Sequence, residues 1–214
     1  YKKNLFIFGT SFGFGFYLSG LYWISNSLTF DENFKFLIPF SLILIPLFLS
    51  LFFSLVTMLT GPFLNFNITS IFFLSGSLAF SDYLRSKILT GFPWNLWSYS
   101  FSWATEIIQV LNKIGLFSFN LIAITMFMLP AALFFKIEKR KKFLIICSIF
   151  VTFLSLYLYG NYALNKNERL LNNVEDKFNV KVVSPNFDLE FNLNFQQIEK
   201  RLEKLIRYSE PDKN

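Results

Sequence analysis

The only thiol in the chain is Cys147, the first residue to weigh as a nucleophile. It sits among Ile145, Ile146 and Ile149, with no base nearby in sequence. A thiol in apolar surroundings keeps its proton and is inert, so Cys147 is read as structural. The chain has no His, which excludes a His-ligated metal site and a His-dependent triad within these residues. A single Cys excludes a disulfide framework and a clustered Cys zinc site. What remains is one short stretch of mixed chemistry. Asp82 and Arg85 are three residues apart, close enough on a helix face to pair. The same Arg85 has the planar fork that suits a headgroup phosphate. Phe92-Pro93-Trp94 follows, with Trp97, Tyr99 and Trp103 soon after. Trp and Tyr favour the headgroup level of a bilayer, where an apolar ring and a polar N–H or O–H are both satisfied.

The elements that must carry this stretch are apolar. Of 214 residues, 53% are hydrophobic and 16% charged, against roughly a quarter charged in an average soluble domain. Asn4–Phe30 holds no charge, and Phe36–Ser81 runs 46 residues without one. A membrane-crossing helix needs about 20 mainly apolar residues, and a soluble core element needs no such length. Five spans are expected, at about 5–24, 36–59, 67–85, 115–135 and 143–163. Gly61-Pro62 with Asn65 and Asn67 divides the long run into two helices joined by a tight turn. Pro39 and Pro46 fall inside the second span, where neighbouring helices can satisfy the freed carbonyls. Gly9, Gly13, Gly15 and Gly20 on the first span are expected to allow close helix packing. Glu106–Lys113 reads as a short helix lying at the interface.

The net charge of +6 sits entirely in the apolar part. Residues 1–164 hold 11 Lys/Arg and 5 Asp/Glu, while residues 165–214 hold 9 of each. This excess reads as an orientation signal and not as a phosphate-backbone surface, so no nucleic-acid partner is expected. Five of the seven residues in 136–142 are basic, which places that loop in the cytoplasm. Lys2 and Lys3 then fall on the same side, and the loops around 25–35 and 86–114 lie outside with the C-terminal tail.

The tail changes character after Asn165. Val180-Lys181-Val182-Val183 reads as a strand ending at Ser184-Pro185-Asn186. Asn194 and Gln197 have capping-box spacing for a helix over 195–208, with Phe195, Ile198, Leu202, Leu205 and Ile206 on one face. The fold expected is an all-α polytopic membrane helix bundle over 1–164. The first strand and helix of an α/β domain follow over 165–214. The chain opens on Tyr1 and stops in a polar stretch at Asn214, and is read as a fragment of a longer protein.

Phe12-Gly13-Phe14-Gly15-Phe16-Tyr17-Leu18-Ser19-Gly20-Leu21-Tyr22-Trp23-Ile24 resembles the Gly-rich, aromatic-ended membrane helix of apolipoprotein N-acyltransferases. Asp82-Tyr83-Leu84-Arg85, then Leu89-Thr90-Gly91-Phe92-Pro93-Trp94 and Tyr99, is similar to that family's most specific motif. Ile114-Gly115-Leu116-Phe117-Ser118-Phe119 suits the start of its next helix. Val182-Val183-Ser184-Pro185-Asn186 looks like the first strand of its nitrilase-like α-β-β-α domain. Two departures stand out. Asp82 replaces the family's more frequent Glu, and Phe187–Phe191 lacks the usual Pro, with Phe where the family has Trp.

The resemblance implies a multi-pass enzyme of the bacterial inner membrane with a periplasmic nitrilase-like domain. Such an enzyme uses a Cys nucleophile to take an acyl chain from a phospholipid as a thioester. It passes the chain to the α-amino group of the N-terminal diacylglyceryl-Cys of an apolipoprotein. The family's Glu–Lys–Cys residues lie beyond this stretch, so no catalytic residue is expected within it, and the stretch alone is expected to be inactive. Two further membrane helices are expected before Tyr1. The lipid- and substrate-binding candidates implied are Arg85, Phe92, Pro93, Trp94 and Phe191. Phe92-Pro93-Trp94 is then either part of an acyl-chain entrance or an interfacial anchor. Arg85 is either a phosphate ligand or half of an ion pair that orients a helix end. The implied partners are the phospholipid donor, the apolipoprotein acceptor and the bilayer; a monomer without metal or cofactor is expected. Two alternatives stay open: a generic transporter or channel subunit, and a membrane scaffold without the catalytic half. A transporter should carry ionisable groups deep in its spans, whereas here the charges cluster at span ends.

Overall fold

The computed structural model describes residues 1–88, 91, 93–173, 180–187, 190 and 193–210. Six α-helices of more than one turn organise them: α1 (Lys2–Leu21), α2 (Ile38–Thr60), α3 (Ile68–Arg85), α4 (Leu116–Met128), α5 (Lys139–Asn172) and α6 (Phe195–Ser209). Tighter 3₁₀ turns extend several of them: Tyr22–Thr29 after α1, Glu32–Leu37 before α2 and Leu129–Phe134 after α4. Counting those extensions, four helices are long and apolar enough to cross a membrane: Lys2–Thr29, Glu32–Phe63, Leu116–Phe134 and Lys139–Asn172. Their outward faces are apolar, with Phe8, Phe48, Phe143 and Phe150 all exposed. Large apolar surface on every side is the mark of a chain solvated by lipid and not by water. This is a membrane protein.

The third expected span, 67–85, coincides with helix α3, which is not among the four helices long and apolar enough to cross a membrane. Its inner face carries Ser75, Asp82 and Arg85, all buried, which lowers its mean hydropathy. It nonetheless runs the same course as its neighbours. The Tyr1 hydroxyl donates to the Gly61 carbonyl at 3.5 Å, so the start of α1 meets the end of α2. The Asn67 side chain caps α3 just beyond, accepting from the Ser70 N–H at 2.8 Å. At its far end Asp82 meets Asn120, in the first half of α4. The rings of Phe66 and Phe135 then close the circuit with centroids 5.8 Å apart. Four helices thus alternate in direction, and Lys136–Lys142 lies at the same end as Lys2 and Lys3.

Between lipid-solvated helices there is little hydrophobic drive to associate, so close packing and interhelical hydrogen bonds hold them. The α1–α2 contact shows both. A Cβ added at Gly13 would stand 2.9 Å from the Ser50 Cα, and one at Gly9 2.7 Å from the Ser54 Cα. Across this seam Thr10 and Ser54 share a 2.7 Å hydrogen bond, and Thr57 Oγ1 donates to the Leu5 carbonyl at 2.9 Å. Only two of the four α1 glycines serve the seam: Gly15 faces open space, and Gly20 receives a loop described below.

Two aromatic and aliphatic clusters complete the core. Ile71, Met126, Leu129, Ala132 and Ile145 join α3, the end of α4 and the start of α5. Phe101, Phe119 and Ala123 sit at the opposite end, with Phe153 of α5 beside Phe101. The interfacial helix expected at 106–113 is two separate turns, Thr105–Ile108 and Leu111–Ile114, halted at Gly115 where φ is +76°. α5 passes the first turn so closely that a Cβ at Gly160 would lie 1.8 Å from the Glu106 carbonyl oxygen. It then continues to Asn172, past the boundary expected at 164.

In the tail, α6 forms with its capping box intact: Asn194 accepts from the Gln197 N–H at 2.8 Å while Gln197 accepts from the Asn194 N–H at 2.9 Å. Among the described residues there is no strand. Residues 180–187 run alongside α6, held by Lys181 to the Glu210 carbonyl and Lys204 to the Pro185 carbonyl, both 2.8 Å. A lone extended segment has no ladder to join, which is why a β-branched run alone does not make a strand.

Candidate functional site

The loop after α3 is held by a network buried in the bundle. It begins at Arg85, whose side chain is 1% exposed. Arg85 Nη2 donates to Asp82 Oδ1 at 2.9 Å, one turn back on α3. Arg85 Nη1 donates to the Trp94 carbonyl at 2.9 Å. The guanidinium carbon lies 5.3 Å from the ring centroid of Tyr17, a fully buried residue of α1. The second Asp82 oxygen accepts from Asn120 Nδ2 at 2.9 Å, and Asn120 Oδ1 accepts from the Ser98 N–H at 3.1 Å. Charge and hydrogen bonding therefore close together inside the protein, as a buried ion pair requires.

Local chemistry shapes the loop around these anchors. Gly91 has φ +78°, and a Cβ there would lie 2.5 Å from the Ser86 carbonyl oxygen, so no other residue fits. Asn95 adopts φ +57°, which Asn tolerates, and its Nδ2 donates to the Phe16 carbonyl at 3.3 Å. Gly20 makes room for it, since a Cβ there would stand 2.3 Å from the Asn95 side chain. Leu96 is buried, and the Trp97 ring stacks on Phe16 with centroids 4.8 Å apart. Trp94 turns outward, 46% exposed and stacked on Trp23 at 5.1 Å. The Tyr99 hydroxyl donates to the Pro93 carbonyl at 3.3 Å. Trp103 is 81% exposed.

The structure thus brings together Arg85, Pro93 and Trp94 of the expected site residues. Phe92 and Phe191 lie outside the described residues. The expected Asp82–Arg85 pairing is formed. Arg85 is buried and engaged by a carboxylate, a carbonyl and a ring. Three participants were not singled out from sequence. Tyr17 and Asn120 sit in apolar runs where a polar side chain gives no sign of its partner. Asn95 carried only the generic signal of a turn residue.

Among the described residues, the side chains of the network are a carboxylate, a guanidinium, an amide and a phenol. Cys147 lies on α5 in partly exposed apolar surroundings. What the network can do is present a rigid aromatic loop at one end of a membrane bundle. The matching family model is the apolipoprotein N-acyltransferase N-terminal domain, over residues 1–129. The chain belongs to the apolipoprotein N-acyltransferase family. Several curated relatives carry that name. The protein from Rhodopseudomonas palustris is 26% identical over 208 residues, covering 94% of this chain and 38% of the relative. The one from Rickettsia prowazekii is 31% identical over 179 residues, 83% of this chain and 35% of the relative. The one from Brucella suis is 34% identical over 126 residues, 58% and 24%. The chain therefore spans a quarter to two fifths of the length of these apolipoprotein N-acyltransferases. No solved structure matches it.

Proposed function

We propose that this chain is the membrane half of an apolipoprotein N-acyltransferase of the bacterial inner membrane. α3 counts as a fifth span, since it runs the full course between α2 and α4. The basic end lies in the cytoplasm, following the excess of Lys and Arg there, and the tail emerges on the periplasmic side. The tail begins the nitrilase-like domain. Residues 180–187 are an extended segment without strand pairing, and their course beside α6 supports that reading, because such a domain starts with a β-forming segment followed by a helix packed along it.

The reaction, as the family resemblance gives it, proceeds in two steps. A Cys thiolate attacks a phospholipid ester carbonyl, forming a thioester as the lysophospholipid alkoxide leaves and takes up a proton. The α-amino group of the diacylglyceryl-Cys then attacks the thioester, forming an amide and returning the thiol. This half contributes the surface that receives the lipid. The observation that carries the reading is the segment Pro93–Trp97, fastened to a buried ion pair yet turning Trp94 outward at the end where α5 leads into the tail. We assign it to the acyl-chain entrance, with Arg85 as its fastening rather than a phosphate ligand.

The test is Trp94→Ala in the full-length protein, assayed with a phospholipid donor and a diacylglyceryl peptide. Acyl transfer should fall by about tenfold or more, as expected when a substrate is misplaced, while protein level stays near wild type. Equal loss of both would leave Trp94 as an interfacial anchor and no more.

A further inference from the structure

We propose that Asn120 is a positioning residue that fixes the conformation of the Trp94–Ser98 segment, and through it the binding of the lipid donor. The second half of this statement rests on the reading of that loop as the acyl-chain entrance. The geometry is a clamp with two jaws. One jaw is Arg85, which holds the Trp94 carbonyl; the other is Asn120, which holds the Ser98 N–H. Asp82 ties the jaws together, one oxygen to each. Between them lie Asn95 in the left-handed region, buried Leu96, and the two rings Trp94 and Trp97 that point in different directions.

Asn120 is fully buried and uses both ends of its amide, one to donate and one to accept. Among side chains of that size, asparagine alone places a donor N and an acceptor O on separate atoms of one neutral planar group. Aspartate keeps the bond to Ser98 but loses the donor and sets a second carboxylate against Asp82. Leucine loses both bonds and leaves a buried N–H without a partner. A structural amide needs only to be satisfied. This one connects α3, α4 and the loop at Ser98, in the first turn of the 3₁₀ helix Trp97–Phe101, where a backbone N–H has no acceptor within its own helix, so its effect falls on the loop.

The experiment uses the full-length protein, in detergent and reconstituted, with Asn120→Asp and the exchange variant D82N/N120D. In the exchange, Asn at 82 accepts from Arg85 and donates to Asp at 120, which accepts from Ser98, so every hydrogen bond is restored with the roles reversed and the negative charge is kept within the network at position 120. Two readouts are taken. Tryptic cleavage after Lys87, which borders the loop, reports its opening without reference to catalysis. Steady-state kinetics report KM for the phospholipid against kcat.

We expect N120D to speed cleavage after Lys87 by about tenfold and to raise the phospholipid KM by a similar factor, with kcat and protein level nearly unchanged. The exchange variant should bring both back to within about threefold of wild type. Unchanged cleavage after Lys87 in N120D overturns the proposal, as does a fall in kcat and protein level together at constant KM. If the wild type transfers no acyl chain while N120D opens the loop and the exchange closes it, the clamp stands and the functional reading falls.

Discussion

At the level of single residues, the buried pair of Asp82 and Arg85 carries the largest stake. Removing one charge of a buried pair leaves the other without compensation and costs about 3–5 kcal/mol, whereas replacing both with apolar groups is often close to neutral. Arg85→Met should therefore lower stability by that amount, read as an earlier midpoint in SDS or thermal unfolding. D82N/R85M should recover a large part of it. If the double variant were as unstable as the single one, the packing of the arginine stem against Tyr17 would outweigh its charge. The spacing of Asp82 and Arg85 is readable in the sequence because a helix fixes what lies three residues on. Asn120 is not, because its partners are 38 residues back and 22 residues back, and nothing local fixes distances of that order. Tyr17 shares this difficulty: in an aromatic-rich helix, one ring that meets a guanidinium looks like any other.

At the level of helices, glycine position decides packing. Gly13→Ala places a methyl group 2.9 Å from the Ser50 backbone and should push α1 off α2, costing roughly 1–3 kcal/mol. Gly15→Ala two residues on meets nothing and should be neutral or stabilise by up to about 1 kcal/mol through helix propensity. Denaturation of the two variants side by side checks this; similar effects would mean that the α1–α2 seam is not where the glycines act. Long charge-free runs mark the helices, and α1 and α2 largely coincide with Asn4–Phe30 and with the first half of Phe36–Ser81. The helix α3 is harder to judge by composition because its polar groups are turned inward and satisfied there. The tail strand is the opposite case: a β-branched run marks a preference, while a strand exists only once another strand pairs with it.

At the level of the whole molecule, the alternation of four helices sets Lys2, Lys3 and the 136–142 loop at one end, and α5 carries the chain to the other. Cysteines introduced at Arg140 and Glu199, in a Cys147→Ala background of the full-length protein, should react with a membrane-impermeant maleimide from opposite faces. Glu199→Cys should label in cells with a permeable outer membrane, and Arg140→Cys only after lysis. Labelling of both from one face would remove α5 from the membrane, and an exchange of the two patterns would reverse the orientation or remove α3 from the count of crossings. The end-to-end placement was legible from Lys and Arg alone, because alternation needs only a count of crossings. The path of the loop was not, since it depends on bonds between helices that the chain visits far apart.

The notch at Gly160 has a further consequence for how the tail is aimed. α5 is seated there against the Glu106 backbone and runs on without interruption for 12 residues to Asn172, a reach of about 18 Å at 1.5 Å per residue. Beyond the notch it behaves as a crankshaft with a fixed phase. One residue inserted after Gly160 would swing everything attached to Asn172 by about 100° around the helix axis, whereas seven would lift it by about 10 Å and leave its heading within about 20°. The azimuth of whatever follows α5 is thus set by a residue count, and single-residue insertions there should be far more damaging than a two-turn one.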